Sequence, residues 1–137
     1  MSLFNVFNVS GSGMSAQSIR LNTVSSNMAN ANSASSSTDQ LYKARQPVFE
    51  TMLQQAGGMG ESAGVRVTDI VESQAPSRRE YAPHHPKSDK DGYVFYPNVN
   101  MVEEMANMIS ASRSFQSNVE VMDTAKNLIL RTLTLGQ

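Results

Sequence analysis

The chain has 137 residues, of which 39% are hydrophobic, and its formal net charge is −1. This length suits one domain or a compact module with extensions, and the apolar content is low for a core that closes on itself. The near-neutral charge, without clusters of Lys and Arg, argues against nucleic acid as a partner. The lack of cysteine excludes disulfide bridges and thiolate metal sites. We therefore expect a protein that completes its core with partners.

Targeting signals are not evident in the sequence. No apolar run approaches the roughly 20 residues that a membrane-spanning helix needs. Residues 1–7 lack the basic leader and the apolar block of a secretory signal peptide. We therefore expect no cleaved signal peptide.

Residues 1–31 are predicted to form an N-terminal helix, because apolar residues recur on one helical face. Two adjoining rows of that face contain Leu3, Phe7, Met14, Leu21, Val24, Met28 and Ala31. Gly11 and Gly13 should interrupt or loosen the helix, since glycine is a poor helix former. The sequence therefore predicts a frayed start and a firm helix from about Met14.

Residues 32–99 are predicted to be a polar linker followed by a small β region. The Ser-rich stretch 32–39 favours turns, because its side chains compete with regular backbone pairing. Strand-like segments follow at 44–53 and 65–72, with shorter ones around 79–81 and 93–96. The glycines of 57–60 suggest a flexible connector. We expect short antiparallel pairing here.

Residues 100–137 carry the clearest helical pattern. One row, at seven-residue intervals, contains Met101, Met108, Phe115, Met122 and Ile129. A second row, four residues further on, contains Met105, Ser112, Val119, Lys126 and Leu133. This is a heptad pattern with two polar interruptions. Asn100 and Glu103 have the spacing of a capping box, and Gly136 can close the far end.

The predicted fold is therefore mainly α, with the terminal helices paired as an antiparallel, coiled-coil-like hairpin and a small β insert between them. The apolar face of the C-terminal helix is wider than a two-helix seam, because Val102, Ile109 and Leu130 flank it. We expect the flanks to meet further helices in an assembly. The residues predicted to form the assembly interface are Met14, Leu21, Val24, Met28, Met101, Met105, Met108, Phe115, Val119, Met122, Ile129 and Leu133.

Candidate catalytic and metal sites are weak throughout the sequence. The pair His84-His85 stands between two prolines, where a solvent-exposed loop explains it better than a metal site does. Residues 89–92 lack the further acids of a calcium loop, and Asp91-Gly92 is better explained as a tight turn that leads into the strand beginning at Tyr93. Glu103 and Glu104 are neighbours at a helix start, which favours capping and dipole roles over acid–base catalysis. We predict no enzyme activity, no cofactor, no metal and no small-molecule substrate.

The segment 12–32 resembles the N-terminal signature shared by flagellar rod and hook proteins. Segments 97–121 and 126–137 resemble the C-terminal helix of the proximal-rod members of that family, and 47–50, 64–67 and 91–94 resemble their β region. The matched N-terminal motif includes Asn27, Ala29, Asn30, Ala31 and Asn32. The alternative of a soluble coiled-coil adaptor explains the heptads but not these terminal motifs, and an enzyme acting on peptidoglycan lacks a candidate acid pair.

The resemblance implies a structural subunit of the proximal rod of the flagellar basal body. It implies export without a cleaved signal and a place in the periplasmic space. It further implies contacts with other rod proteins, with copies of the chain, and with membrane-ring and export-gate components. In these terms 1–31 and 100–137 are axial helices, and 32–99 is the linker with the β region.

Overall fold

The computed structural model of the chain describes residues 3–54 and 62–135. A long helix, α1 (Leu3–Asn30), is followed by a short 3-10 turn at Thr38–Gln40. Four strands come next, and a second long helix ends the chain. These five elements are β1 (Arg45–Gln54), β2 (Ser62–Glu72), β3 (Arg78–Tyr81), β4 (Tyr93–Tyr96) and α2 (Met101–Leu135).

The two helices pack side by side as an antiparallel hairpin. At one level Gly13 lies beside the Asn118 amide, and further along the Arg20 guanidinium donates to Asn107 Oδ1 at 2.8 Å. Residue numbers thus rise along α1 as they fall along α2. The predicted fold, two terminal helices packed together with a small antiparallel β region between them, is confirmed.

Small and polar side chains line the seam between the helices. The seam side of α2 buries Ala111 and Ala125, α1 buries Ser10 and Val24, and Ala31 is buried directly after the end of α1. Small residues let two helix backbones approach closely, and close packing is what stabilises the pair. The seam therefore consists of small and polar residues, which a search for an apolar heptad pattern does not select.

The second row of the α2 heptad differs from the predicted one. The row that contains Met101 and Phe115 is half-buried, as a seam row should be. The second row of the seam lies three residues after it instead of the predicted four, and it consists of Glu104, Ala111, Asn118 and Ala125. Met105 and Leu133, from the predicted row, are exposed. The larger apolar residues of that row thus lie outside the seam, because the close helix approach favours small side chains within it.

The predicted interruption of α1 at its glycines is wrong. The helix runs without a break from Leu3 through Gly11 and Gly13. A Cβ atom added at Gly13 would lie 3.0 Å from the Nδ2 atom of Asn118. The missing side chain therefore makes room for a close contact with α2, and that packing offsets the low intrinsic helix propensity of glycine.

A β-hairpin formed by β1 and β2 lies against a second face of α1. The Val65 amide donates to Ser12 Oγ at 3.2 Å, and Asn27 bonds the backbone of Arg45 at the other end of the hairpin. The antiparallel register shifts between Val48 and Phe49, where Thr68 is the extra residue on β2. This bulge bends the hairpin, as an extra residue in one strand does.

Strands β3 and β4 form a second, smaller antiparallel pair. Ser35, from the predicted polar linker, exchanges two backbone hydrogen bonds with Phe95 of β4, at 2.9 and 3.0 Å. Val94 is completely buried in this unit. The Ser-rich linker is thus a third, single-residue edge of the small sheet.

The turn before β4 depends on Gly92, which has a φ of 82°. Asp89 Oδ1 accepts from the amides of Asp91 and Tyr93, both at 2.9 Å, and fixes the turn. Only glycine adopts this left-handed conformation without a steric cost. The tight turn predicted at Asp91-Gly92 is confirmed, since the Gly92 amide donates to Asp89 O at 3.1 Å.

Replacing Gly92 with alanine should destabilise the chain by about 1–3 kcal/mol, because the new methyl group combines a positive φ with a steric clash. Its Cβ would lie 3.0 Å from the Tyr81 ring and 3.3 Å from Pro83 Cβ. Gly11→Ala is the matched control, since its nearest neighbour would be at an ordinary 3.9 Å. Urea unfolding of the purified variants measures both effects. A Gly92→Ala midpoint equal to that of Gly11→Ala would contradict this account.

The predicted connector at 57–60 and the helix-closing Gly136 lie outside the described residues. Within residues 3–54 and 62–135, no helix has the length and apolar character needed to cross a membrane.

Candidate assembly surface

The outer face of α2 exposes large apolar side chains. Near the start of the helix, Val102 is 75% exposed and Ile109 is 55% exposed, with Met105 beside them. A single exposed apolar residue is ordinary, but a contiguous group on a rigid helix is typical of an interaction surface. We call these three residues the outer stripe.

A second apolar surface lies at the other end of the helical hairpin. Val6 of α1 and Val121, Ala125 and Leu128 of α2 line a shallow groove of about 450 Å³. Val121 and Leu128 are about half exposed. This hairpin has solvent-facing apolar surface at both ends, so it can pack against additional helices.

The predicted interface residues are distributed over both the seam and the open surface. In α1, Val24 is buried in the seam, whereas Met14, Leu21 and Met28 are half-buried along its flank. Among the predicted interface residues of α2, those that are half-buried are Met101, Met108, Phe115, Val119, Met122 and Ile129, while Met105 and Leu133 are exposed. Their role in contacts between subunits stays a prediction.

A buried polar cluster ties three parts of the chain together at Asn27, which is 1% exposed. Its Nδ2 donates to Arg45 O at 2.8 Å and to Glu104 Oε1 at 3.0 Å. Its Oδ1 accepts from Tyr42 Oη at 2.8 Å and from Arg45 N at 2.9 Å. One amide thus joins α1 to the start of β1 and to α2, with all its hydrogen-bonding capacity used.

The other members of the predicted family motif have separate positions. Asn30 Nδ2 donates to Ser26 O at 2.8 Å within the last turn of α1, and Ala31 is buried. Ala29 and Asn32 are exposed. Asn27 is therefore the motif residue that links elements distant in the sequence.

Glu104 has a role that the sequence did not reveal. Asn100 caps α2 as predicted, since its Oδ1 accepts from Val102 N at 3.2 Å. Glu104, predicted as a capping or dipole residue, is instead 6% exposed and bonded to Asn27. Its position three residues after Met101 places it in the seam, and that spacing was the available signal. Tyr42 and the Asn118–Gly13 contact were missed because no periodic pattern marks them.

The surroundings of Glu104 raise the pKa of its carboxyl. Burial raises the pKa of this carboxyl above its ordinary value of 4.5, and the nearby charge of Glu103 adds to the increase. The hydrogen bond from Asn27 and the positive charge of Arg20 act in the opposite direction and are outweighed. The unfolded chain therefore releases this proton at a lower pH than the folded chain does.

Glu104→Gln should reduce the loss of stability on going from mildly acidic to neutral pH. Because the folded pKa is raised, the fold binds the extra proton, so stability falls as pH rises from about 4.5 through the folded pKa. Glutamine removes this titration while keeping the side-chain shape. Urea midpoints over a pH series measure the effect, with Glu103→Gln as the matched charge control. A slope that persists in Glu104→Gln and vanishes in Glu103→Gln would contradict this assignment.

The described residues contain no group of three or more His, Cys, Asp or Glu side chains arranged to hold a metal ion. His85 Nδ1 instead accepts from the Lys87 amide at 3.1 Å, within the loop between β3 and β4.

Two family models match the chain at its two helical ends. Residues 7–34 match the model described as flagella basal body rod protein. Residues 90–135 match the model described as flagellar basal body rod FlgEFG protein C-terminal. Both helices that form the surfaces above thus carry sequence features of flagellar basal-body rod proteins, and this is the class of protein that the matches define.

Relatives that match over their full length identify the family within this class of protein. The chain is 51% identical over 137 residues to the flagellar basal-body rod protein FlgC of Yersinia enterocolitica and 49% identical over 137 residues to that of Escherichia coli O6:H1, each covering 100% of both chains. It is 34% identical over 153 residues to the FlgC protein of Borreliella burgdorferi, covering 100% of this chain and 99% of that one. The chain belongs to the FlgC family of flagellar basal-body rod proteins.

Proposed function

We propose that this chain is a structural subunit of the proximal rod of the bacterial flagellum. It assembles helically with other rod proteins and with copies of itself, and it transmits the rotation of the motor through the periplasm to the hook. The single observation that carries this proposal is the similarity to FlgC proteins over the full length of the chain. The FlgC proteins from Escherichia, Yersinia and Salmonella are 48–51% identical to it. The alternative of a soluble adaptor has no support from these relatives.

The helical hairpin supports this role physically. α2 has 35 residues and is therefore about 50 Å long at ~1.5 Å per residue. Its seam with α1 is closely packed, and its outer stripe remains available for neighbours. Contacts between unlike surfaces of successive subunits propagate into helical arrays instead of closing into small oligomers. Densely packed helices resist deformation, which suits a shaft that carries torque.

Different segments of the chain have different roles in this proposal. Residues 1–31 and 100–137 are axial helices, and 32–99 is the linker with the β region, which lies beside them. The chain is exported without a cleaved signal peptide and contacts membrane-ring and export-gate components. It performs no catalysis and binds no cofactor. The buried seam and the exposed apolar surfaces support a role in assembly.

Deletion of the gene, followed by electron microscopy of isolated basal bodies, tests the proposed function. We expect membrane rings without a proximal rod and a complete loss of swimming. A plasmid copy of the natural chain should restore both. Complete rods in the deletion strain would overturn the proposal, because a structural subunit of the proximal rod cannot be dispensable for its construction.

A further inference from the structure

A cleft lies between β1 and the first turns of α2. Pro47 and Phe49 form one wall, Glu103 and Asn107 form the other, and Glu104 lies at the side next to α1; the cleft has a volume of about 370 Å³. Phe49 is partly exposed at its edge. The cleft is thus large enough for one long side chain, and part of its rim is apolar.

Glu104 presents an unused acceptor in this cleft. The side chain is 6% exposed, and its Oε1 atom accepts from Asn27. Its Oε2 atom is buried and has no hydrogen-bond donor within the described part of the chain. A buried carboxylate oxygen without a donor is costly, so a donor arriving from outside would stabilise the site.

The two arginines that line the cleft are each bonded to a side chain other than Glu103 and Glu104. Arg20 donates to Asn107 Oδ1 at 2.8 Å, and Arg45 pairs with Glu72 at 3.3 Å. Among the residues that the structure describes, Glu103 and Glu104 form no ion pair. Apart from Asn27, which donates to Oε1 of Glu104, no described side chain donates to the carboxylates of the cleft, so a cationic side chain complements them.

We propose that this cleft binds a basic side chain from α2 of a second copy of this chain, held between Glu103 and the free oxygen of Glu104. This inference rests on the proposed function. The first nine residues of α2 contain two acids and no base, whereas its three bases, Arg113, Lys126 and Arg131, come later and are all exposed. Within the described residues these three bases form no ion pair.

The distribution of charge in α2 favours copies that are displaced along the helix axis. Residues 113–131 contain three bases and two acids, Glu120 and Asp123, so such a displacement brings the net positive part of one α2 against the acidic start of the next. The contact joins two different surfaces, so it repeats from copy to copy without closing. The outer stripe begins at Val102, beside Glu103, and provides apolar contact next to the charged one.

The lack of cysteine in the natural chain makes a cross-linking test specific. Glu103→Cys is combined in turn with Arg113→Cys, Lys126→Cys and Arg131→Cys, in a strain whose own gene is deleted. Basal bodies are isolated and separated on a non-reducing gel. A contact between a long basic side chain and Glu103 can hold the two Cα atoms farther apart than the about 7 Å that a disulfide allows, so the cysteines are joined with a short bis-maleimide reagent. One of the three pairs should then give multiples of the subunit mass at least about fivefold above the controls. The controls are Glu103→Cys alone and Glu103→Cys with Tyr81→Cys, an exposed position on β3.

A charge exchange tests the same contact without cysteine. Glu103→Lys should reduce swimming several-fold, and reversal of the matching base to Glu should restore it. Normal swimming of Glu103→Lys, or failure of all three reversals to restore it, would overturn the inference. Equal cross-linking in the controls, or none in the three pairs, would do the same. If these results come from basal bodies that contain the chain, the proposed function stands and only the contact fails. If the natural chain is absent from basal bodies, the proposed function itself fails.

Discussion

Asn27→Ala will destabilise the chain by about 3–5 kcal/mol and will abolish swimming, because it leaves several buried polar groups without partners. The side chain is 1% exposed and makes four hydrogen bonds to α1's neighbours in the fold. Alanine removes all of them at once. The backbone N and O of Arg45, the hydroxyl of Tyr42 and the carboxylate of Glu104 all lose a partner that water cannot easily replace.

The size of this effect is large in relation to the whole fold. Small domains are stable by about 5–15 kcal/mol, so the loss removes a considerable share of that margin. Urea unfolding of the purified variant measures the change in the free energy of unfolding, and soft-agar plates measure swimming. Asn32→Ala is the matched control, because Asn32 belongs to the same motif and is exposed. A similar, small effect for both variants would show that the buried cluster contributes little.

Phe115→Asp and Ile109→Asp should both abolish swimming, but for different reasons. Phe115 is half-buried on the row that faces α1, between the Gly13–Asn118 and Arg20–Asn107 contacts. A carboxylate there is desolvated without a partner, which destabilises the chain by about 3–5 kcal/mol. Ile109 is 55% exposed on the outer stripe, so its replacement leaves the isolated chain within about 0.5 kcal/mol of its natural stability.

The two variants distinguish a defect in folding from a defect in assembly. Urea unfolding should detect the loss of stability in Phe115→Asp alone, and the recovery of each variant in isolated basal bodies should be low for both. Ile109→Ser is a milder control, since it removes the apolar side chain without adding a charge. Normal swimming of Ile109→Asp would count against the outer stripe as a contact surface. Unchanged stability of Phe115→Asp would count against the seam.

The helices and their pairing could be predicted because periodicity is a strong signal over long segments. The row of Met101 and Phe115 recurs every seven residues, and its Asn100 cap is local chemistry that the sequence displays directly. The turn at Gly92 was predictable for the same reason, since Asp-Gly pairs favour tight turns. These features depend on residues that are close together in the chain.

The parts of the site that depend on distant residues could not be predicted. Helix propensity argues against glycine at Gly13, and only the position of Asn118 on the other helix explains it. An apolar pattern favours Met105 over Ala111 as a seam residue, yet the close approach of the helices selects the small one. Glu104 looks like an ordinary acid at a helix start until Asn27 is brought beside it. In each case the decisive partner lies on another element.

The bond between Asn27 and Glu104 has a consequence for the order of events as the chain is made. The two residues are 77 positions apart in the sequence. When a chain appears from its N-terminus first, the amide of Asn27 therefore lacks one acceptor until Glu104 is present. The last partner arrives only when the start of α2 has followed. The polar cluster is thus complete only when the second helix has packed beside the first, and a chain that ends before Glu104 cannot form the full cluster.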